Sequence, residues 1–174
     1  MITRRSLVLT SLLVATGAPL ARAVPAAPDD PVAIINAIYT RAAKGKGDSG
    51  GGFVYENKAA KAKYLSKALI ALWAKADAHT QKGDVGPIEF DLVSNSQDPD
   101  IKSFKVNADK LEADKATVAA SMVSGHGPRK TSDDDVVRYD FVREANAWKI
   151  DDIKGKMDGE PWSVRDLLTA SLKN

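Results

Sequence analysis

The spacing of apolar residues changes once along this chain. Between Pro31 and Ala42, the residues Val32, Ile35, Ile38, Tyr39 and Ala42 recur at helical intervals, which predicts a helix with one buried stripe. Asp30 before Pro31 supplies an N-cap and a first helical position. From Lys58 to Lys82 the chain is rich in Ala, Leu and Lys, all good helix formers. At about 100° per residue, Leu65, Leu69, Leu72, Trp73 and Ala76 share one sector, while Lys63, Lys67, Lys75 and Lys82 lie opposite. Ser66 is a candidate internal cap, so one long helix and two helices that meet at Leu65-Ser66 both satisfy the pattern. Gly83 and Gly86-Pro87 stop it.

Beyond Pro87 the period falls to two. Lys102 to Val106, Thr117 to Val123, Val136 to Arg143 and Ala147 to Ile153 read as four antiparallel strands, with Asn107 to Lys115 as a hairpin connection and Glu144-Ala145-Asn146 as a turn. In the third strand Val137, Tyr139 and Phe141 share a face; in the fourth Trp148, Ile150 and Asp152 do. Ser163 then caps a last helix carrying Val164, Leu167, Leu168 and Leu172, with Asp166 in its first turn. The predicted fold is α+β, a single domain over residues 31–174. N-terminal helices pack on a curved antiparallel sheet of about four strands and a C-terminal helix closes the domain.

The first 23 residues read as an address. Arg4-Arg5 precede the apolar run Leu7 to Ala18, and Ala21-Arg22-Ala23 offers a cleavage site after Ala23. Thr3-Arg4-Arg5-Ser6-Leu7-Val8 fits a twin-arginine signal and equally a general secretory one, so the chain is expected to be periplasmic or secreted. The run is shorter than the roughly 20 residues of a spanning helix. No membrane span is therefore expected after signal removal. Val24 to Asp30, rich in Pro and Ala, reads as a flexible leader.

Composition removes several chemistries. The 174 residues contain no cysteine and two histidines, His79 and His126. That leaves no disulfide framework, no thiol nucleophile, and no His-rich or thiolate metal centre. Without the signal, 22 Lys and Arg face 23 Asp and Glu, a balance that gives no electrostatic case for nucleic acid. Lys44 to Gly52 holds five glycines but lacks the Gly-Lys-Ser/Thr ending of a P-loop, and is read as a floppy surface connection. Asp133-Asp134-Asp135 lacks the remaining positions of an EF-hand loop and is read as a solvated turn. The lysines of the second helical region are read as a solvated face.

The order of helices, Phe90-Asp91-Leu92, Ser96-Gln97-Asp98, strand meander, Trp148-Lys149-Ile150-Asp151-Asp152-Ile153 and Ser163-Val164-Arg165-Asp166-Leu167-Leu168 resembles the DUF3828 group of exported bacterial proteins, from about Ile34 to Leu172. Asp91-Leu92 stands where that group usually has Asp-Pro. The resemblance implies an NTF2-like, cystatin-like cone and no established activity.

These readings lead to one expected function and two alternatives. The first is an exported, non-catalytic protein that holds a small molecule or peptide in a cavity between helices and curved sheet, without a cofactor or metal. Its candidate binding residues are Tyr39, Tyr64, Trp73, Gln97, Tyr139 and Trp148. Gln97-Asp98 is also read as pinning its loop to the sheet edge. The second is a cofactor-free lyase or isomerase in which His79 or Asp152 abstracts a proton. The third is a protein–protein or inhibitory module of the cell envelope, and a homodimer is compatible with each.

Overall fold

The computed structural model describes residues 30–44, 50–81 and 83–173. The expected export signal, most of the expected leader, the first half of the glycine-rich stretch and Lys82 lie outside the described residues. Helix α1 (Pro31–Ala42) opens where its cap signal places it, with the Asp30 carboxylate accepting the Val32 N–H at 2.9 Å. The following helical region divides at Leu65-Ser66 into α2 (Lys58–Tyr64) and α3 (Lys67–His79). Leu65 is extended and buried, and bridges Ile150. Ser66 caps α3 through its hydroxyl and donates its own N–H to the Ile150 carbonyl at 2.8 Å. The break is therefore a docking point on the sheet.

Five antiparallel strands follow, β1 (Ile101–Leu111), β2 (Lys115–Ser124), β3 (Val136–Glu144), β4 (Ala147–Met157) and β5 (Glu160–Ser163), each paired with the next in chain order. Helix α4 (Val164–Ser171) closes the chain, capped by Ser163. Two boundaries differ from expectation. The β1 strand runs on to Leu111 and the hairpin turn is only Glu112 to Asp114. Asn107–Leu111 is exposed throughout, so it has no apolar alternation to read. The fifth strand arises because β4 continues to Met157 and turns at Asp158-Gly159, both at positive φ. Positive φ at Ala145 and Asn146 likewise makes the predicted β3–β4 turn.

One sheet face is apolar. Val118, Ala120, Val137, Tyr139, Phe141 and Ile150 are buried with Ile35, Ile38 and Tyr39 of α1. Helix α1 packs on β1 and β2, while α4 packs on α3 and β4. A register shift opposite Asp140 leaves Asp151 without a cross-strand partner. That bulge brings both Asp152 and Ile153 into buried positions. No helix among the described residues is long and apolar enough to cross a membrane.

Candidate functional site

The loop from Asp91 to Ser96 closes the end of the apolar layer. Asp91 and Ser96 bridge each other, and Asn95 adopts φ 52°, a left-handed conformation that Asn tolerates better than most residues. Leu92 and Val93 point inward and are fully buried. The Tyr39 hydroxyl donates to the Val93 carbonyl at 2.7 Å, and the Tyr139 hydroxyl donates to that of Tyr39 at 3.2 Å. Burial pushes both phenols above the ordinary range, so they stay neutral donors.

The same loop is tied down from the sheet side. Asn95 donates to the Asp134 carbonyl at 2.9 Å and the Lys156 carbonyl at 2.6 Å, and accepts from the Trp162 indole at 3.0 Å. The Arg129 guanidinium donates to the carbonyls of Ser94 and Asn95, at 2.8 and 2.5 Å. The residue that pins this loop is thus Asn95, and not the Gln97-Asp98 pair, which is exposed.

Asp91 faces the other way and organises a cleft. Its Oδ2 accepts the Gly51 N–H at 2.5 Å and the Tyr55 hydroxyl at 2.9 Å, while Oδ1 accepts the Ser94 N–H at 2.7 Å. The Leu92 N–H in turn reaches the Tyr55 oxygen at 3.3 Å. The described end of the glycine-rich stretch is therefore built into the structure, which corrects its reading as a loose connection. A Cβ on Gly51 would stand 2.0 Å from Val93 Cγ2, and one on Gly52 would stand 1.7 Å from Glu56 Oε1. Glycine is required at position 51, where the backbone closes on fully buried Val93, whereas the contact at position 52 is with the end of the exposed Glu56 side chain, which can swing aside. The backbone amide that could have met a phosphate meets the protein's own carboxylate.

Between Gly50–Glu56 and the loop Ile88–Pro99 lies an open cleft of about 440 Å³, lined by Tyr55, Glu56, Glu89, Phe90, Asp91 and Gln97 among others. Two smaller hollows lie elsewhere. One of about 310 Å³ runs beside Trp162, Lys154 and Arg138, and one of about 270 Å³ lies beside His79 and Ser171.

The sequence candidates separate. Gln97 lines the cleft. Trp73 is buried and stacks on Tyr55 at 5.8 Å between centroids, so it backs the cleft wall. Tyr64 is half-buried with its edge toward Phe53. Tyr39 and Tyr139 are fully buried, which leaves no water-sized space against either ring. Trp148 is buried beneath the Arg143 guanidinium.

His79 is exposed on the last turn of α3, beside Ser171. Asp152 accepts the N–H groups of Ile153 and Arg165, at 2.9 and 3.1 Å, and so supports the start of α4. Burial raises its pKa against those hydrogen bonds. His79 and Asp152 therefore stand at opposite ends of α4, roughly 10 Å apart along an eight-residue helix. They form no acid–base couple. Asp134, read as solvated, is buried and accepts the Gly159 and Thr131 N–H groups, both at 2.9 Å. Burial opposes its ionisation, yet these hydrogen bonds hold its pKa below the ordinary value. No cluster of three metal-ligating side chains occurs among the described residues.

Sequence reasoning missed Asp91, Tyr55 and Asn95 as organisers. The available signals were the three consecutive glycines at 50–52, which permit close backbone approach, and the Asx turn chemistry of Ser94-Asn95-Ser96. Compared with family models, curated proteins and solved structures, the chain finds no match.

Proposed function

We propose that this chain is an exported, non-catalytic binding protein that holds a small molecule or a peptide end in the cleft between Gly50–Glu56 and Ile88–Pro99. The observation that carries this reading is Asp91, whose one carboxylate ties both walls together and holds an open, largely polar space of about 440 Å³. Gly50 and Gly51 shape one wall, where a Cβ would meet Asp91 and Val93. Gln97, exposed on the other wall, is positioned for direct ligand contact, whereas Tyr55 and Phe90 offer apolar surface.

The scaffold proposed is the NTF2-like cone implied by the DUF3828 resemblance. An antiparallel meander with helices packed on its strands and a terminal helix supports it. In this reading the Asp91–Ser96 loop, with Leu92 and Val93 buried, stoppers the cone, so the ligand sits outside the stopper.

Native mass spectrometry of the purified protein tests the proposal. The expected result is a small-molecule or peptide adduct that disappears in Gln97→Trp, a change at an exposed position that fills the cleft. An adduct that survives Gln97→Trp, or none after incubation with periplasmic extract, would overturn it.

A further inference from the structure

The near-neutral charge of the chain conceals a separation. Residues 31–82, a span that includes the helices before the sheet, contain nine Lys and Arg against three Asp and Glu; residues 83–174 contain thirteen against eighteen. The two halves also treat their cations differently. On the sheet side at least seven of the thirteen cations, among them Arg138, Lys154, Lys156 and Arg165, hold a carboxylate. On the helical side Lys61 pairs with Asp77 at 3.3 Å, but Arg41, Lys44, Lys58, Lys63, Lys67 and Lys75 have no carboxylate partner among the described residues, and all six are exposed.

The local acids do not cancel this charge. Asp30 caps α1, Glu56 lies along Gly52, and Glu144 reaches from β3 to cap α3 at the Lys67 N–H. On α3 the buried side is Leu69, Trp73 and Ala76. Lys67 and Lys75 fall on the opposite side, with exposed Ala71, Ala74 and Ala78 between them.

We infer that this helical half is a docking surface for an acidic protein partner, independent of the cleft. The nature of the surface discriminates among polyanions. Single-stranded nucleic acid is held best where free aromatic faces stack the bases and arginines fork onto the phosphates. Here the Arg41 guanidinium covers Phe53 at 3.9 Å, Lys63 covers Tyr64 at 4.8 Å, and Lys61 covers Trp73 at 4.3 Å. Arg41 is the single arginine of the half. An anionic membrane would be held more firmly by apolar side chains inserted among the cations, but the exposed large apolar residues Val85, Leu111, Val123 and Met157 lie outside these helices. A carboxylate-rich protein surface needs only the dispersed, mobile ammonium groups that are present.

The test is binding of a fluorescent poly-glutamate peptide, run beside phosphatidylglycerol vesicles and a single-stranded oligonucleotide. Two triple charge reversals alter net charge equally: Lys58→Glu/Lys67→Glu/Lys75→Glu on the helical half, and Lys105→Glu/Lys115→Glu/Lys173→Glu outside it. The expected result is peptide binding that weakens at least roughly tenfold between low and physiological salt and roughly tenfold in the helical triple, but less than about twofold in the control triple. Three results would each overturn the inference: equal weakening by the two triples, tighter binding of vesicles or oligonucleotide than of peptide, or no peptide binding at low salt. Circular dichroism of both triples checks that the fold is kept. The cleft adduct is indifferent to either triple, so the two proposals fail separately.

Discussion

Asp91→Ala removes the one group that joins the two walls of the cleft. Three donors lose their acceptor: the Gly51 N–H, the Tyr55 hydroxyl and the Ser94 N–H. Ser94 is buried, so its N–H has no easy route to water, and a buried orphan donor costs about 1–3 kcal/mol. Gly51 is buried as well and carries a similar cost, whereas the Tyr55 hydroxyl borders the open cleft and recovers part of its loss from solvent, leaving about 1 kcal/mol. The sum, about 3–7 kcal/mol, corresponds in a domain of this size to a fall of roughly 10–20 °C in Tm. Urea denaturation monitored by tryptophan fluorescence measures it, since Trp73 stacks directly on Tyr55. A double-mutant cycle with Tyr55→Phe should give a coupling of about 1–2 kcal/mol. A loss below about 0.5 kcal/mol for Asp91→Ala, or strict additivity in the cycle, would refute the reasoning.

Three further changes probe other parts of the structure. Trp148→Ala empties a buried site beneath Arg143 and should cost about 3–5 kcal/mol in urea denaturation; an unaltered curve would mean the indole contributes no packing. Gly155→Val places a Cβ 2.7 Å from the Trp162 ring, which should cost about 1–3 kcal/mol by overpacking and shift the Trp162 emission, and a neutral result would mean that the indole swings aside freely. For Asp152 the folded pKa is raised by burial, so its stabilising contribution is complete below the unfolded value near 3.9 and is lost as pH rises through the folded value. Wild type should therefore lose stability relative to Asp152→Asn as pH goes from about 3 to about 7, and a flat or opposite trend in paired melting curves would contradict the assignment.

Local rules made much of the fold legible. The Asp30-Pro31 start, the Ser66 cap, the Ser163 cap and the turn at Ala145-Asn146 each depend on residues within a few positions of one another, and short-range chemistry of that kind survives in a bare sequence. The outer end of the β1–β2 hairpin and all of β5 were missed for a common reason. Exposed strand segments such as Asn107–Leu111 and half-covered ones such as Lys154–Met157 bury too little apolar surface to imprint a period of two. The bulge at Asp151 also misled the reading of faces, because one extra residue moves Asp152 off the alternation on which its role as a base was argued.

The cleft was illegible for a different reason. Each of its ties spans a long stretch of chain: Gly51 and Tyr55 reach Asp91 across 40 and 36 residues, and Asn95 reaches Lys156 across 61. Periodicity carries no information about such pairs. The sequence does carry a residue-type constraint, since Gly50-Gly51-Gly52 exposes backbone amides and costs conformational entropy that something must offset. Read alone, it fits both a phosphate cradle and a slack connection. What decides between them is the carboxylate of Asp91, already engaged by three donors and held against a loop whose apolar residues fill the interior. Because the glycines are engaged in holding a wall, any ligand must be recognised by what remains free along the cleft, the side chains of Glu56, Glu89, Phe90 and Gln97. On the proposed binding reading, specificity rests on exposed positions that can vary without disturbing the Asp91 junction beneath them.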